Sequence, residues 1–396
     1  MSNVPEIRFK GFTDAWVQRK FSDIVNRVSA QSNVDNLPKV EFEDIVSGEG
    51  TLNKDISNKF DNRKGIAFEP NHILYGKLRP YLKNWLFADF KGVALGDFWV
   101  FEARGSVPTF NYYLIQTEQY QEVANLSTGT KMPRSDWNTV SGTKLSIPAE
   151  SAEQTAVGKF FRTLDTTITL HKRKLNGLKE LKMGYLQRMF PQDGESVPRL
   201  RFERFVGDWE MKMLKEVSNK VTEKNIDKEF TETLTNSAEY GIINQREFFD
   251  KDISNEKNIG GYFVVHPDDF VYNPRISNHA PVGPIRRNLL GRTGVMSPLY
   301  YIFRVAVGNL TFIEKYFESV YWHKFMKLNG DNGVRADRFN IKDSVFEEMP
   351  IPFPSLSEQK AIGEWFHNLD NQIIAQQTKL DNLKQLKSAY LQKMFV

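Results

Sequence analysis

Two loops of the sequence combine glycine with lysine and arginine, a composition that suits contact with a polyanion. The first covers residues 127–137 (STGTKMPRSDW), and the second covers residues 329–339 (NGDNGVRADRF). Glycine permits close approach of the backbone, arginine can donate two hydrogen bonds to guanine O6 and N7, and lysine supplies charge for phosphates. The cationic residues of these loops are therefore predicted to contact nucleic acid: Lys131, Arg134, Arg335 and Arg338.

Two further windows are basic because they contain no acidic residue. Residues 270–313 carry five arginines without Asp or Glu, and residues 70–88 carry two lysines and an arginine among tyrosines and a tryptophan. Such windows can bind phosphates, although a solvated surface beside a core strand is an equal alternative for either window alone. Five residues of these windows join the candidates for DNA contact: Lys77, Arg79, Arg275, Arg286 and Arg287.

The sequence contains no recognisable pattern for catalysis. The phosphate-binding motif Gly-x-x-x-x-Gly-Lys-Ser/Thr is absent, and so is the Asn/Asp-Pro-Pro-Tyr/Phe motif expected of an adenine methyltransferase. The chain has no cysteine, and its six histidines lack the spacing of metal ligands. We therefore expect no catalytic residue, no metal site and no cofactor in this chain.

The composition indicates a globular protein of more than one domain. The chain has 396 residues, of which 40% are hydrophobic and 13% aromatic, so it can bury more than one core. The lack of cysteine fits a reducing compartment, and no segment approaches the roughly 20 apolar residues that a membrane helix needs. The first residues also lack the pattern of a signal peptide, so we expect a cytoplasmic protein with no membrane partner.

Two sequence patterns occur twice in the same order. Residues 4–28 and 197–221 are identical at eight of 25 positions, and residues 153–190 and 358–395 are identical at 19 of 38 positions. Such repetition indicates a tandem duplication. The long stretches between the repeats show no convincing alignment. Divergent stretches within a repeated framework are expected if each stretch reads a different target.

The second repeated pattern predicts two long helices. Its apolar residues recur at intervals of three and four, as on the seam of a heptad pattern. The seam residues expected to pack the helices are Leu164, Ile168, Leu175, Leu178, Leu369, Ile373, Leu380 and Leu383. Since a seam needs a partner, we expect the two helices to pack antiparallel. Ser151 with Gln154 and Ser355 with Glu358 have the spacing of capping boxes at their starts. Packing within separate cores is the simpler alternative.

These patterns predict an α+β protein in which two mixed α/β domains are joined by two long antiparallel helices with pseudo-twofold symmetry. The predicted segments are a first recognition domain at 1–150, a central long helix at 151–192, a second recognition domain at 193–354 and a C-terminal long helix at 355–396.

The repeated Arg-Phe…Phe…Trp entry, the Ile-Pro…Glu-Gln helix start and the Tyr-Leu-Gln-Arg/Lys-Met-Phe ending resemble the specificity (S) subunits of Type I restriction-modification enzymes. The resemblance spans essentially the whole chain. It implies a non-catalytic subunit that reads a bipartite site in double-stranded DNA, one half per recognition domain. It also implies that two methyltransferase (M) subunits dock on the helices, that motor-nuclease (R) subunits join through the complex, and that S-adenosylmethionine, ATP and Mg act in those partners.

Two alternatives stay open at this stage. One is a non-enzymatic helical scaffold whose two variable domains bind proteins, and the arginine-rich windows without acids count against it. The other is a lone nuclease or methyltransferase with an unrecognised site, against which the missing motifs count.

Overall fold

The chain folds into two compact units, each of which combines one variable region with parts of two long helices. The computed structural model describes residues 4–59, 62–126, 131–248, 259–331 and 337–396. Unit 1 comprises Met1–Arg173 and Gln377–Val396, and unit 2 comprises Lys174–Gln376. The segment boundaries given above stay a prediction.

Unit 1 consists of short strands and of helices that pack on its main sheet. Its strands are β1 (Val17–Lys20), β2 (Val25–Val28), β3 (Gln31–Ser32), β4 (Lys39–Val40), β5 (Ile45–Val46), β6 (Thr51–Leu52), β7 (Gly65–Phe68), β8 (Ile73–Gly76), β9 (Trp85–Phe87), β10 (Gly92–Ala94), β11 (Phe98–Ala103) and β12 (Lys144–Ile147). Its helices are α1 (Phe21–Ile24), α2 (Pro108–Leu114), α3 (Glu118–Ala124), α4 (Trp137–Gly142) and the first part of α5 (Ser151–Arg188), with 3-10 turns at Phe42–Asp44 and Pro80–Leu82. A second sheet has the order β3-β7-β10-β4, β1 pairs with β12, and β5 pairs with β6.

The sheet β2-β11-β8-β9 separates two cores of unit 1. Ile73 and Tyr75 belong to the core formed with the helices, whereas Leu74 and Val100 belong to the core beneath the second sheet. Successive side chains of a strand point to opposite faces, so this alternation buries both faces of the sheet. Burial on both faces explains why β8 and β11 are almost continuously apolar.

Unit 2 has the same kinds of elements. Its strands are β13 (Glu210–Met213), β14 (Ser218–Lys220), β15 (Leu234–Ser237), β16 (Gly241–Asn244), β17 (Phe263–Val265), β18 (Phe270–Tyr272), β19 (Ile285–Arg287), β20 (Gly294–Met296), β21 (Tyr301–Val305) and β22 (Pro350–Phe353). Its helices are α6 (Leu214–Val217), α7 (Gln245–Phe248), α8 (Leu310–Glu318), α9 (Trp322–Asn329), α10 (Asp343–Phe346) and the first part of α11 (Leu356–Lys393), with a 3-10 turn at Ile259–Gly261.

The main sheet of unit 2 repeats that of unit 1 strand by strand. Its order is β14-β21-β18-β19, in which each strand corresponds by position to one of β2-β11-β8-β9. Tyr75 of β8 lies opposite Trp99 of β11, and Tyr272 of β18 lies opposite Tyr301 of β21. The two variable regions therefore share a sheet and its register, although their sequences do not align.

The two long helices predicted from the sequence are confirmed as α5 and α11, and the α+β class of the duplicated chain is confirmed with them. Within each unit the two helices run antiparallel, because rising residue numbers in one meet falling numbers in the other. The contacts that define this direction are Phe160–Tyr390 and Asp165–Lys387 in unit 1, and Tyr185–Trp365 and Lys182–Asp370 in unit 2.

The predicted seam residues lie on the covered sides of these helices. Leu164, Leu175, Leu369 and Leu380 are buried, and Ile168, Leu178, Ile373 and Leu383 are half-buried. Apolar side chains at this spacing stabilise a helix by packing rather than by propensity. In the part of the chain that the structure describes, no helix combines the length and apolarity needed to cross a membrane.

The repeated sequence motifs join each variable region to a long helix through a buried ion pair. Arg8 donates from Nε and Nη2 to the two carboxylate oxygens of Glu153, at 2.7 and 2.8 Å. Arg201 binds Glu358 in unit 2 in the same way and at the same distances. Two parallel hydrogen bonds between a guanidinium and a carboxylate fix orientation as well as distance. The Arg-Phe and Glu-Gln motifs are thus the two sides of one contact, made once in each unit.

The glutamine of the Glu-Gln motif holds the backbone of the variable region. The side-chain oxygen of Gln154 accepts a hydrogen bond from the Val107 backbone N at 2.9 Å, and its amide nitrogen donates to the Pro148 carbonyl at 2.9 Å. Gln359 makes the corresponding pair of contacts in unit 2. One half of an expected capping box is present, because Ser355 Oγ accepts a hydrogen bond from the Glu358 backbone N at 3.3 Å. The other half is not formed, since the side chains of Gln154 and Glu358 bind Val107 and Arg201 instead of the helix starts.

Candidate nucleic-acid interface

In unit 1 the segment that follows β8 lies against the C-terminal part of the first glycine-bearing loop. Leu78 and Arg134 form an antiparallel bridge. The Arg79 backbone N donates to the Pro133 carbonyl at 2.7 Å, and the Ser135 N donates to the Lys77 carbonyl at 2.8 Å. The fold thus brings together predicted contact residues that are more than fifty positions apart in the sequence.

Asp97 positions the two cations of this cluster. Its carboxylate oxygens lie 3.6 Å from Lys77 Nζ and 3.0 Å from Arg134 Nη2. The side chain of Arg134 is 54% exposed, so its remaining donors face solvent. An exposed ion pair adds little stability, and its effect here is to restrict where Arg134 points. Lys131, three residues before Arg134, is also exposed.

Arg79 differs from its cationic neighbours because part of its side chain is covered. Its backbone has a φ of +50°, in the left-handed region that few non-glycine residues adopt. Its Nε is buried and has no hydrogen-bond partner among the described residues. A buried donor without an acceptor is costly, so the covered Nε gives Arg79 a less favourable conformation than its exposed neighbours adopt.

Unit 2 forms the same bridge with different side chains. Arg275, in the segment after β18, pairs with Arg338, in the C-terminal part of the second glycine-bearing loop. The Ile276 backbone N donates to the Asp337 carbonyl at 3.1 Å, and the Phe339 N donates to the Pro274 carbonyl at 2.7 Å. Two arginines thus meet where unit 1 has Leu78 and Arg134.

The arginines at this bridge are available to a partner to different degrees. Arg275 is exposed, whereas Arg338 is half-buried and its Nε has no hydrogen-bond partner within the described residues. Arg335 lies outside the residues that the structure describes.

Arg286 and Arg287 lie on β19, toward the other end of β18 from Arg275. Arg286 donates from Nη2 to the Ala238 carbonyl at 2.7 Å. The side chain of Arg287 is only 13% exposed, and its Nε lies 3.2 Å from a carboxylate oxygen of Glu314. That nitrogen is not aligned for a hydrogen bond, so the contact is an ion pair only. This geometry favours structural roles for both arginines. Their contacts with DNA stay a prediction, which their positions in the fold do not support.

The window 270–313 is less basic in three dimensions than in sequence. Arg292 pairs with Glu232, and Arg304 donates to both oxygens of the buried Asp269, at 2.7 and 2.9 Å. Both acids lie outside the window but adjacent to it in the fold. Of the window's arginines, Arg275 is therefore the one whose exposed position and neighbouring arginine suit a polyanion.

A cleft of about 610 Å³ opens beside Arg338 in unit 2. Its lining combines aromatic rings with cations, including Tyr300, Tyr301 and Lys220, whose Nζ lies 5.3 Å from the ring of Tyr301. In unit 1 Trp137 packs on Trp99 beside the bridge and lies under the guanidinium of Arg27. The two units thus present different surfaces beside the same bridge.

Sequence reasoning did not single out Asp97, Arg27 or Lys220. Asp97 lies in no repeated motif and acts through residues distant in sequence. Arg27 and Lys220 occupy equivalent positions in the first repeated pattern, on β2 and β14, so a comparison of the two copies gives the signal that finds them. Within the described residues, no group of three or more histidine and carboxylate side chains is arranged to hold a metal ion.

The fold is similar to that of known S subunits. An S subunit of a Type I restriction-modification system from M. genitalium superposes with a TM-score of 0.59 at 13% identity, and the match covers 99% of each chain. A chain from the structural study of complex assembly and conformational transition of the type I R-M system superposes with a TM-score of 0.55 at 18% identity, covering 96% of this chain and 97% of that one. No curated protein sequence matches this chain significantly.

The sequence itself identifies the family. The model described as the Type I restriction modification DNA specificity domain matches residues 14–180 and again residues 207–385. Each match begins near a repeated entry motif and ends within a long helix. The chain therefore belongs to the family of Type I restriction-modification specificity subunits and carries two copies of the DNA specificity domain.

Proposed function

We propose that this protein reads a bipartite site in double-stranded DNA, one half with each unit, and holds methyltransferase subunits on that site. The observation that carries the proposal is the bridge made in both units, Leu78 with Arg134 and Arg275 with Arg338. Each bridge places arginine at the surface of a DNA specificity domain, where its donors can reach an external acceptor.

The residue types at the bridges suit a division between phosphate and base contacts. Arginine forms two hydrogen bonds with guanine O6 and N7, and lysine contributes a charge that phosphates attract. Arg134 and Arg275 are exposed enough to reach base edges. Lys131 is also exposed, and we assign it to phosphate.

The partners follow from the family and from the helices. Two M subunits dock on the exposed faces of α5 and α11, where Leu170, Leu181, Ile374 and Leu386 are among the exposed apolar side chains. R subunits join through the resulting complex. This chain is non-catalytic: S-adenosylmethionine binds in the M subunits, and ATP and Mg act in the motor-nuclease subunits. The assembly works in the cytoplasm, where its DNA target lies.

The test is to co-express this chain with the M subunit encoded beside it and to map methylated adenines across the host genome by single-molecule sequencing. We expect one new motif with two short defined halves around a fixed unspecified spacer. Alanine at Arg134 is expected to relax one half, and alanine at Arg275 the other. Each loss of a base contact corresponds to about 1–3 kcal/mol of discrimination.

A stable complex without new methylation would remove the DNA-reading proposal and leave only a docking platform. The matched control is Arg199→Ala, which breaks an exposed ion pair with Glu195 away from either bridge and is expected to leave the motif unchanged. Relaxation of both halves by Arg134→Ala alone would contradict the assignment of one half-site to each unit.

A further inference from the structure

The connection between β8 and β9 in unit 1 presents an exposed apolar tip. Tyr81 and Leu82 are 55% and 39% exposed, while the adjacent Pro80 is buried. The flanking residues Arg79 and Lys83 have φ values of +50° and +54°. Strained conformations of this kind persist only where the surrounding structure imposes them, and they cluster at functional sites.

Hydrogen bonds hold this tip from both sides. The Arg79 backbone N donates to the Pro133 carbonyl at 2.7 Å, and the Gly48 N donates to the Lys83 carbonyl at 3.0 Å. The hydroxyl of Ser47 donates to the Leu82 carbonyl. The exposure of the two apolar side chains therefore belongs to a fixed turn.

Cations surround the tip. Lys83 forms its C-terminal end, and the bridge between Leu78 and Arg134 places a second cation beside its N-terminal end. Met132, two residues before Arg134, is itself 48% exposed. A surface that presents apolar groups between positive charges suits a DNA groove, because phosphates flank the base edges there.

From this geometry we infer that Tyr81 and Leu82 determine specificity by contacting the 5-methyl group of a thymine in the major groove. The inference rests on the proposed function and concerns the half-site that unit 1 reads. Thymine is the base that presents a methyl group in that groove, and apolar side chains are its usual partners. Leu82 has no side-chain donor or acceptor, so a methyl group is the base feature that it can recognise.

The corresponding connection in unit 2 has a different chemistry. Between β18 and β19 the chain turns back at the bridge between Ser277 and Ala280, and the exposed residues of this turn are Ser277, Asn278 and His279, which can donate and accept hydrogen bonds. The same connection thus presents an apolar tip in one unit and a polar tip in the other. This difference supplies a matched control within the same chain.

The experiment uses the complex with its M subunit and duplexes that carry the mapped target. Each thymine is replaced in turn by deoxyuridine, which removes only the 5-methyl group. We expect one position in the half-site of unit 1 where the replacement weakens binding roughly threefold to fivefold, the effect of one buried methyl group. The double variant Tyr81→Ser/Leu82→Ser should bind the thymine duplex more weakly and lose this discrimination. The variants Tyr81→Phe and Ser277→Ala should retain it.

Three results would overturn the inference. The half-site of unit 1 could contain no thymine, or the wild type and the double variant could discriminate equally between thymine and deoxyuridine. In the third result the double variant binds DNA unchanged but no longer binds the M subunit. The last result would assign the tip to a protein partner. Failure of the proposed function looks different, since the wild-type complex would then bind target and unrelated duplexes equally. Unchanged thermal unfolding of the double variant, expected for exposed residues, shows that the fold is intact.

Discussion

The buried ion pair of each unit gives the sharpest prediction about stability. Glu153 accepts three hydrogen bonds, from Arg8 Nε and Nη2 and from Trp16 Nε1 at 3.2 Å. Glu358 accepts the two hydrogen bonds from Arg201. Both carboxylates are at most 2% exposed. The matched changes Glu153→Gln and Glu358→Gln keep the shape of the side chain and remove its charge.

The structure sets the expected cost of each change. Removing one charge of a fully buried pair costs about 3–5 kcal/mol. Because the side chains of Arg8 and Arg201 are 12% and 15% exposed, water compensates part of this cost, and we expect a loss at the lower end of the range. Trp16 Nε1 and Arg8 Nε both donate to Oε1 of Glu153, so the amide oxygen of a glutamine at this position can still accept both hydrogen bonds. In each unit the change then removes the one hydrogen bond from Nη2 of the arginine, and Glu153→Gln and Glu358→Gln should cost about the same. Replacing both partners, as in Arg8→Met/Glu153→Leu, should restore most of the stability.

Urea unfolding with pulsed hydrogen exchange and mass spectrometry measures the effect, because peptides report each unit separately. Glu153→Gln should lower the free energy of unfolding of unit 1 peptides, and Glu358→Gln that of unit 2 peptides. The difference in the free energy of unfolding between the single and double variants gives the interaction energy of the ion pair. If Arg8→Met/Glu153→Leu proved as unstable as Glu153→Gln, the loss would come from packing rather than from an uncompensated charge, and the reasoning would be refuted.

Two further predictions concern charge. Asp97→Asn should release Lys77 and Arg134 and so strengthen binding to unrelated duplexes. The slope of log binding constant against log salt concentration should become steeper by roughly 0.9 for each added phosphate contact. Fluorescence anisotropy at several salt concentrations, with Glu69→Gln as control, measures this slope, and an unchanged slope would contradict the prediction. Burial, with a smaller effect from Lys327, lowers the pKa of His323 to about 4. The imidazole of the unfolded chain binds its proton near pH 6.5, so unit 2 should lose stability as the pH falls from 6.5 to 4. His323→Gln should reduce this loss, as measured by thermal unfolding. An equal loss in the wild type and the variant would show that His323 is not the cause.

Much of the framework could be predicted from the sequence because it depends on patterns repeated within the chain. The interval of three and four residues gave both long helices, and nearly identical positions in the two copies gave the duplication. Arg134 and Arg338, predicted from two loops of similar composition, also occupy equivalent positions in the fold, since each forms the bridge of its unit. Such features can be predicted from the sequence because each depends on the spacing of residues along one continuous segment.

The remaining features depend on contacts between distant segments. The window around Arg287 looked uniformly basic, yet Glu314 and Asp268 face that arginine from α8 and from a turn. The sheet that the two variable regions share could not be predicted from the sequence either. Tyr272 takes the place of Tyr75 in the register of the strands, but most of the residues around the two tyrosines differ. A strand position requires only an apolar side chain on the correct face, so many sequences satisfy the same sheet.

The distribution of shared and different contacts suggests how such a chain changes its target. The ion pairs of Glu153 and Glu358 are the same in both units, and so is the backbone bridge at Arg134 and Arg338. The units differ instead at exposed positions, such as the tip at Tyr81. Since exposed side chains contribute little to folding, these positions can change at small cost in stability. Contacts that hold each variable region to its helix are therefore separated from the contacts that we propose to select bases, and under that proposal one half-site can change while the fold and the other half-site are retained.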